Sequence, residues 1–267
     1  MRGLSDIMAE LLEGSEHDLS QVPRTPEERS EARKRLELAR MAVKNCQVCL
    51  DTGFVHPLKD NGKVDYSLTV PCVCVRQEAE RKQKERLLKY CELPAKAEGM
   101  TFASFRRSKE TEEAYRASLA LAKGDYEPTF LTLTGPTNHG KTHLLVSVCN
   151  YRLQQGKLAK YAYVPYLLDE LRAGFKKNGD ESYFSRYNAF LNVPLLALDD
   201  LGTENDTPWA QEHLDELVDY RVMHKLQTIV TTNLPWKSLP FRVASRLKRE
   251  GEVIIIGGPE YEAVKSK

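Results

Sequence analysis

Gly135, Pro136, Thr137, Asn138, His139, Gly140, Lys141 and Thr142 follow an apolar, β-rich run and open a helix-like pattern at His143. A G-x-x-x-x-G-K-[ST] spacing between strand and helix is the pattern of a loop that grips phosphate. Its glycines let the backbone curl so that successive N–H groups point inward, adding to the positive end of the following helix. Lys141 offers a point charge to β and γ phosphates, and Thr142 offers a hydroxyl to Mg²⁺. Such a loop needs an acidic partner, and "PLLALDDLG" ends an apolar strand in Asp199 and Asp200. Asp199 is expected to orient Mg²⁺ through its water shell and Asp200 to polarise the attacking water, with Glu204 in reserve. Asn233 closes "TIVTTN" at a strand end, where open α/β sheets place ligands, and could reach the water or the γ-phosphate. Arg242 and Arg246 lie one helical turn apart in "FRVASRLKREG". An arginine that its own site does not need can complete a neighbour's.

A second chemistry sits upstream. Cys46 and Cys49 form C-x2-C, and Cys72 and Cys74 follow after 22 residues as C-x-C. Two close pairs brought together by a hairpin can surround Zn²⁺ with four thiolates, a closed shell typical of structural zinc. The segment is read as poor in large apolar residues, so metal binding would supply much of its folding energy. His56 is an alternative to one of the sulfurs. Cys91 and Cys149 stand apart and read as small buried apolar residues.

The elements that must position these groups follow a simple order. Leu4, Ile7, Met8, Leu11 and Leu12 mark a short amphipathic helix. Thr25, Pro26 and Glu28 open a charged one running to about Lys44. After the cysteines, "RQEAERKQKERLLKY" is a charged helix that stops near Leu93-Pro94. Five β-rich runs then begin at residues 130, 161, 195, 228 and 252, separated by helix-length spacers. That alternation predicts an α/β fold, a three-layer sandwich around a five-stranded parallel sheet. The expected domains are a helical and zinc-binding module over 1–92 and a nucleotide-binding domain over 93–267.

Composition narrows the setting. The 267 residues carry 39 Lys+Arg against 38 Asp+Glu, a net charge of +1 that leaves nucleic-acid contact to local patches. The absence of a long apolar run argues against a membrane span, and reduced cysteines suit a cytoplasmic protein.

Taken in order, "GPTNHGKTHL", "PLLALDDLGTE", "TIVTTNLP" and "RVASRL" resemble the AAA+ ATPases of the DnaC, DnaI and IstB group. The resemblance runs over about residues 90–258. It implies ATP and Mg²⁺ as cofactors, Asn233 as sensor 1, Arg246 as an arginine finger acting across a subunit boundary, and self-association into an oligomer. Arg242 is the weaker claimant. Many related ATPases carry Glu where Asp200 stands, which implies slow turnover here. No helical lid is expected after residue 258. The zinc module resembles the DnaI branch, implying a replicative hexameric helicase as partner and single-stranded DNA in the assembly. Candidate DNA contacts are Arg172, Lys176, Lys177 and Arg186, interleaved with Phe175, Tyr183, Phe184 and Tyr187. The alternatives are an IstB-like helper of transposition, a small-molecule P-loop kinase, and a nucleotide-bound adaptor that hardly hydrolyses.

Overall fold

The computed structural model describes residues 25–27, 30, 34, 45–176, 181–202 and 207–258. The amphipathic stretch at 4–12, Glu28, Lys177, Glu204 and the side chains of Phe175, Lys176 and Tyr183 lie outside the described residues. The chain divides into two compact units, Met1–Ala79 and Glu80–Lys267.

In the first unit, β1 (Phe54–Val55) pairs antiparallel with β2 (Val70–Pro71); α1 (Val73–Cys91) begins there two residues later and continues past Ala79 into the second unit. One sequence expectation needs correction here. Large apolar residues are not scarce, but Val48, Phe54, Leu58, Tyr66 and Leu68 stay exposed, while Cys49 and Cys72 are buried. Among the described residues no layer lies opposite the short hairpin, which leaves these apolar side chains exposed.

The second unit holds β3 (Phe130–Thr134), β4 (Lys160–Tyr163), β5 (Leu195–Asp199), β6 (Gln227–Thr232) and β7 (Gly251–Ile255). They form one sheet in the order β4-β5-β6-β3-β7, with every pair parallel. The chain leaves β3 for the far edge at β4, returns through β5 and β6, then passes over β3 to β7. The reversal puts a crevice at the carboxyl ends of β3, β6 and β5. All residues of β3 and β5 are buried, as expected of strands covered on both faces.

Two layers of helices cover the sheet. On one core pack α2 (Glu112–Lys123) and α3 (Lys141–Gln154), with Leu121, Leu144, Leu145 and Val148 fully buried. The other core takes α4 (Val164–Lys176), α5 (Glu181–Asn192), α6 (Pro208–Met223) and α7 (Phe241–Arg249). Helix α2 ends at Gly124 in a left-handed turn whose N–H caps Ala120 O, and α6 starts at Thr207, whose hydroxyl accepts from Ala210 N–H. Among the described residues no helix is long and apolar enough to cross a membrane.

Arg221 on α6 is wholly buried, and its position explains how three elements meet. Its guanidinium donates to the carbonyls of Phe190, Leu191 and Val193 at the end of α5, and to Gln227 O and Thr228 Oγ1 at the start of β6, all within 3.0 Å. Burial pulls its pKa down to about 9, still high enough to stay charged at neutral pH. Substituting Arg221→Met leaves those acceptors without donors. The expected loss is about 3–5 kcal/mol, read as a lower denaturant midpoint, whereas an unchanged midpoint would show that the carbonyls find other partners.

Candidate nucleotide and metal sites

The phosphate loop lies where β3 hands over to α3. Gly135 has φ 145°, and a Cβ there would stand 2.1 Å from Ile256 O, so only glycine lets the end of β7 pass this close. Asn138 at φ 61° and Gly140 at φ 86° curl the loop onward into α3. The Lys141 ammonium donates to Gly135 O at 2.7 Å and Pro136 O at 2.5 Å, spanning the mouth of the loop. Burial pushes its pKa down, and the charges of Asp200 and Asp199 pull it partly back. His139 bridges the loop to the exit of β7, its ring nitrogens lying 2.5 Å from Thr137 O and 2.8 Å from Gly258 O.

The acidic doublet is held on the opposite wall. Asp199 is buried and its carboxylate accepts from Thr142 Oγ1 at 2.9 Å, Thr231 Oγ1 at 2.6 Å and Tyr161 OH at 3.0 Å. This carboxylate also pushes the Tyr161 phenol further above its usual range, after burial itself. Asp200 turns out of the strand with φ 64°, its N–H caught by Thr231 Oγ1 at 2.9 Å. Its side chain accepts from Asn233 Nδ2 at 2.5 Å and from Tyr163 OH at 3.2 Å. Loop, doublet and Asn233 together line one cavity of about 340 Å³.

Met100 and Tyr163 complete its wall, and sequence reasoning missed both, along with Tyr161 and Thr231. Met100 is delivered by α3 itself. Asn150 Nδ2 donates to Ala97 O and Met100 O, and His143 Nε2 lies 2.9 Å from Thr101 O. The two tyrosines could have been noticed as an i, i+2 pair in "YAYV", which puts both phenols on one side of β4. Which carboxylate they reach depends on register.

The arginines sit elsewhere. Arg246 Nε donates to Asp219 Oδ1 at 2.7 Å, and Arg242 pairs with Asp219 and Asp215. Neither lines the cavity of its own chain.

Of the candidate DNA contacts, Arg172, Phe184, Arg186 and Tyr187 have described side chains, and of these Tyr187 alone is buried. Tyr187 is buried and donates to His213 O, Arg172 donates to Thr207 and stacks on Trp209, and Arg186 bridges Glu92 and Glu170. Phe184 is exposed.

In the first unit the four predicted cysteines converge, with their sulfurs all within 4.8 Å of one another. Cys46 and Cys72 stand 3.8 Å apart, and Cys49 and Cys74 3.5 Å. Four thiolates about 2.3 Å from one tetrahedral ion would stand about 3.8 Å apart, a spacing close to that of the two measured pairs, so the donor set fits such an ion. Asp51 fixes the first pair by accepting from Cys46 N–H and Asn45 N–H, and Cys72 N–H donates to Gly53 O. Backbone N–H groups of Cys49 and Val48 pull the Cys46 thiol down to about 7, while contact with Cys49 pushes Cys74 up to about 12. Binding a dication at the four sulfurs would displace their protons. His56 points away, with Nδ1 at Leu68 O. Cys91 and Cys149 are both fully buried in the core under α3.

A parallel sheet in this order, with a phosphate loop facing an acidic strand end, defines a P-loop nucleotide-binding domain of the AAA+ type. Solved structures agree on the fold: the DnaC helicase loader superposes with a TM-score of 0.55 at 22% identity, over 61% of this chain and all of that one. A crystal structure of DnaI gives 0.53 at 23% identity, over 63% of this chain and 94% of that one. The profile of the IstB-like ATP binding protein family matches residues 57–240, and the chain belongs to that family. It is similar to the putative ATP-binding protein of insertion sequence IS1162 from Pseudomonas fluorescens, 32% identical over 58% of this chain and 65% of that relative. It is also similar to the replicative helicase loader DnaI of Bacillus subtilis, 24% identical over 71% of this chain and 64% of that protein. In both cases the match spans just under two thirds of the relative's length.

Proposed function

We propose that this protein is an ATP-dependent loader that places a replicative hexameric helicase on single-stranded DNA. Residues 1–92 bind the helicase, and residues 93–267 bind and hydrolyse ATP. The observation that carries this reading is the four-sulfur cluster in a unit attached to an AAA+ domain, together with the likeness to a helicase loader over 71% of the chain. Zinc is the ion for which four thiolates at this spacing are suited, and it would act by holding the module folded.

In the ATPase, the backbone N–H groups of the 135–142 loop, Pro136 excepted, cradle the phosphates and Lys141 neutralises them. Thr142 and Asp199, already joined by a 2.9 Å hydrogen bond, would hold Mg²⁺, which would supply positive charge to offset that on the phosphates. Asp200 accepts the proton of the attacking water, and Asn233 keeps that carboxylate and the water in line. Arg246 acts on the site of a neighbouring copy, since it lies off its own cavity on a helix whose outer face is open. Turnover is slow because Asp200 is one methylene shorter than Glu, and it rises on assembly. ATP between protomers then stabilises the loading complex, and cleavage releases the helicase.

The IS1162 relative supports a second reading, a helper ATPase of transposition that engages a transposase. One experiment separates the two. Zinc-loaded full chain is mixed with ATP and single-stranded DNA, and with either a replicative hexameric helicase or a transposase of the insertion-sequence type. Capture and loading of the helicase is expected, with Arg246→Ala still capturing it but losing roughly 10³-fold in assembly-stimulated turnover. Capture of the transposase alone would replace the loader reading with the helper one.

A further inference from the structure

We infer that Tyr163 is a positioning residue for Asp200, fixing one oxygen of the carboxylate while Asn233 fixes the other. The inference rests on the reading that Asp200 takes the proton of the attacking water. Asp200 sits at the first residue beyond β5, in the left-handed region, with its N–H tied back to the sheet through Thr231. A short carboxylate on such a turn can rotate about two side-chain bonds. A displacement of about 1 Å at a reacting group can cost roughly 100-fold in rate. Two donors remove that freedom. Asn233 Nδ2 meets Oδ1 at 2.5 Å and Tyr163 OH meets Oδ2 at 3.2 Å, so the plane of the carboxylate is set from two different strands.

The strand geometry assigns one phenol to each acid. Tyr163 pairs in register with Asp199 and Tyr161 with Ala197, so each hydroxyl reaches the carboxylate farther along β5 than its own partner. Tyr161, buried, serves Asp199, and Tyr163 serves Asp200. The Tyr163 ring is steadied by Tyr166, whose centroid lies 4.9 Å away at 70°. Removing only the hydroxyl therefore leaves the cavity wall in place while releasing one oxygen of the acid.

The test compares wild type, Tyr163→Phe, Asp200→Asn and the double variant as zinc-loaded full chains, measuring kcat and KM for ATP at saturating Mg²⁺. Tyr163→Phe is expected to lower kcat about tenfold with KM within about twofold, as fits a charge-assisted hydrogen bond that orients the acid without touching phosphate. The double variant is expected to be no slower than Asp200→Asn, because the phenol acts only through that carboxylate. Wild-type kcat in Tyr163→Phe, or a further tenfold loss in the double variant, overturns the inference. A silent Tyr163→Phe beside a strongly impaired Asp200→Asn removes Tyr163 alone. An Asp200→Asn chain with normal turnover removes the base assignment and the inference with it.

Discussion

Lys141→Ala is expected to lower ATP turnover by about 10²–10³-fold and to weaken nucleotide binding, while leaving the protein as stable as before. The rate loss follows from where the ammonium stands. It is buried at the loop mouth, already bonded to Gly135 O and Pro136 O, and needs little rearrangement to meet a phosphate oxygen. A preorganised cation in a site that excludes water contributes far more to a charged transition state than the same group in solution, and removing one such group costs about 10²–10³ in rate. Stability behaves differently because burial already disfavours this charge, as its lowered pKa records, so deleting it relieves a desolvation cost. Phosphate release under saturating ATP, binding of a fluorescent nucleotide and a thermal melt together check the prediction. Turnover within about threefold of wild type would mean that the loop is not where ATP is cleaved.

The second large effect is expected on removing metal from the cysteine cluster. A strong chelator should unfold the first unit and leave the second intact, as read by amide hydrogen exchange. Amides around Cys49, Gly53 and Cys72 lose protection, those of β3, β5 and β6 keep it, and added Zn²⁺ restores the first set. The contrast arises from how each unit is held together. Among the described residues of the first, the buried apolar groups are Cys49 and Cys72, and the hairpin has two short strands. A structural zinc site contributes about 10–16 kcal/mol of apparent binding free energy, which exceeds anything such a hairpin can gain by burial. The second unit has a core on each face of its sheet and needs no ion. Protection around Cys72 that survives chelation would show that the sulfurs cluster without a metal. Cys49→Ser should reproduce the chelated pattern with no chelator present.

Much of this architecture was legible in the sequence because the signals are local. The phosphate loop spans eight consecutive residues, and its glycines are required by the backbone angles of that same stretch. The cysteine pairs are each two or three residues apart, so the chain's own turn places both sulfurs of a pair, and only the hairpin had to be supposed. The parallel sheet followed from β-rich runs spaced by helix-length segments. Strand ends shifted slightly: Val164 opens α4, β7 stops at Ile255, short of Gly258, and Asp200 and Asn233 lie just past their strands. Those small shifts matter chemically, since leaving the strand is what lets both side chains turn into the cavity.

Other roles could not be read from spacing. Arg221, in "LVDYRVMHK", looks like a surface cation on a helix, and Tyr187 looks like one aromatic in a basic segment. Both are buried because elements distant in sequence converge on them: the end of α5 with the start of β6 for Arg221, and α6 for Tyr187. Tyr161 and Tyr163 are ordinary strand residues until β4 is set beside β5 in a particular register. The sequence by itself determined which groups could carry the chemistry, because glycine, lysine, aspartate and cysteine have properties that no context supplies. Only the tertiary structure decided which side chains hold those groups in place, because hydrogen bonds of about 3 Å between strands depend on register, and register is a property of the packed sheet.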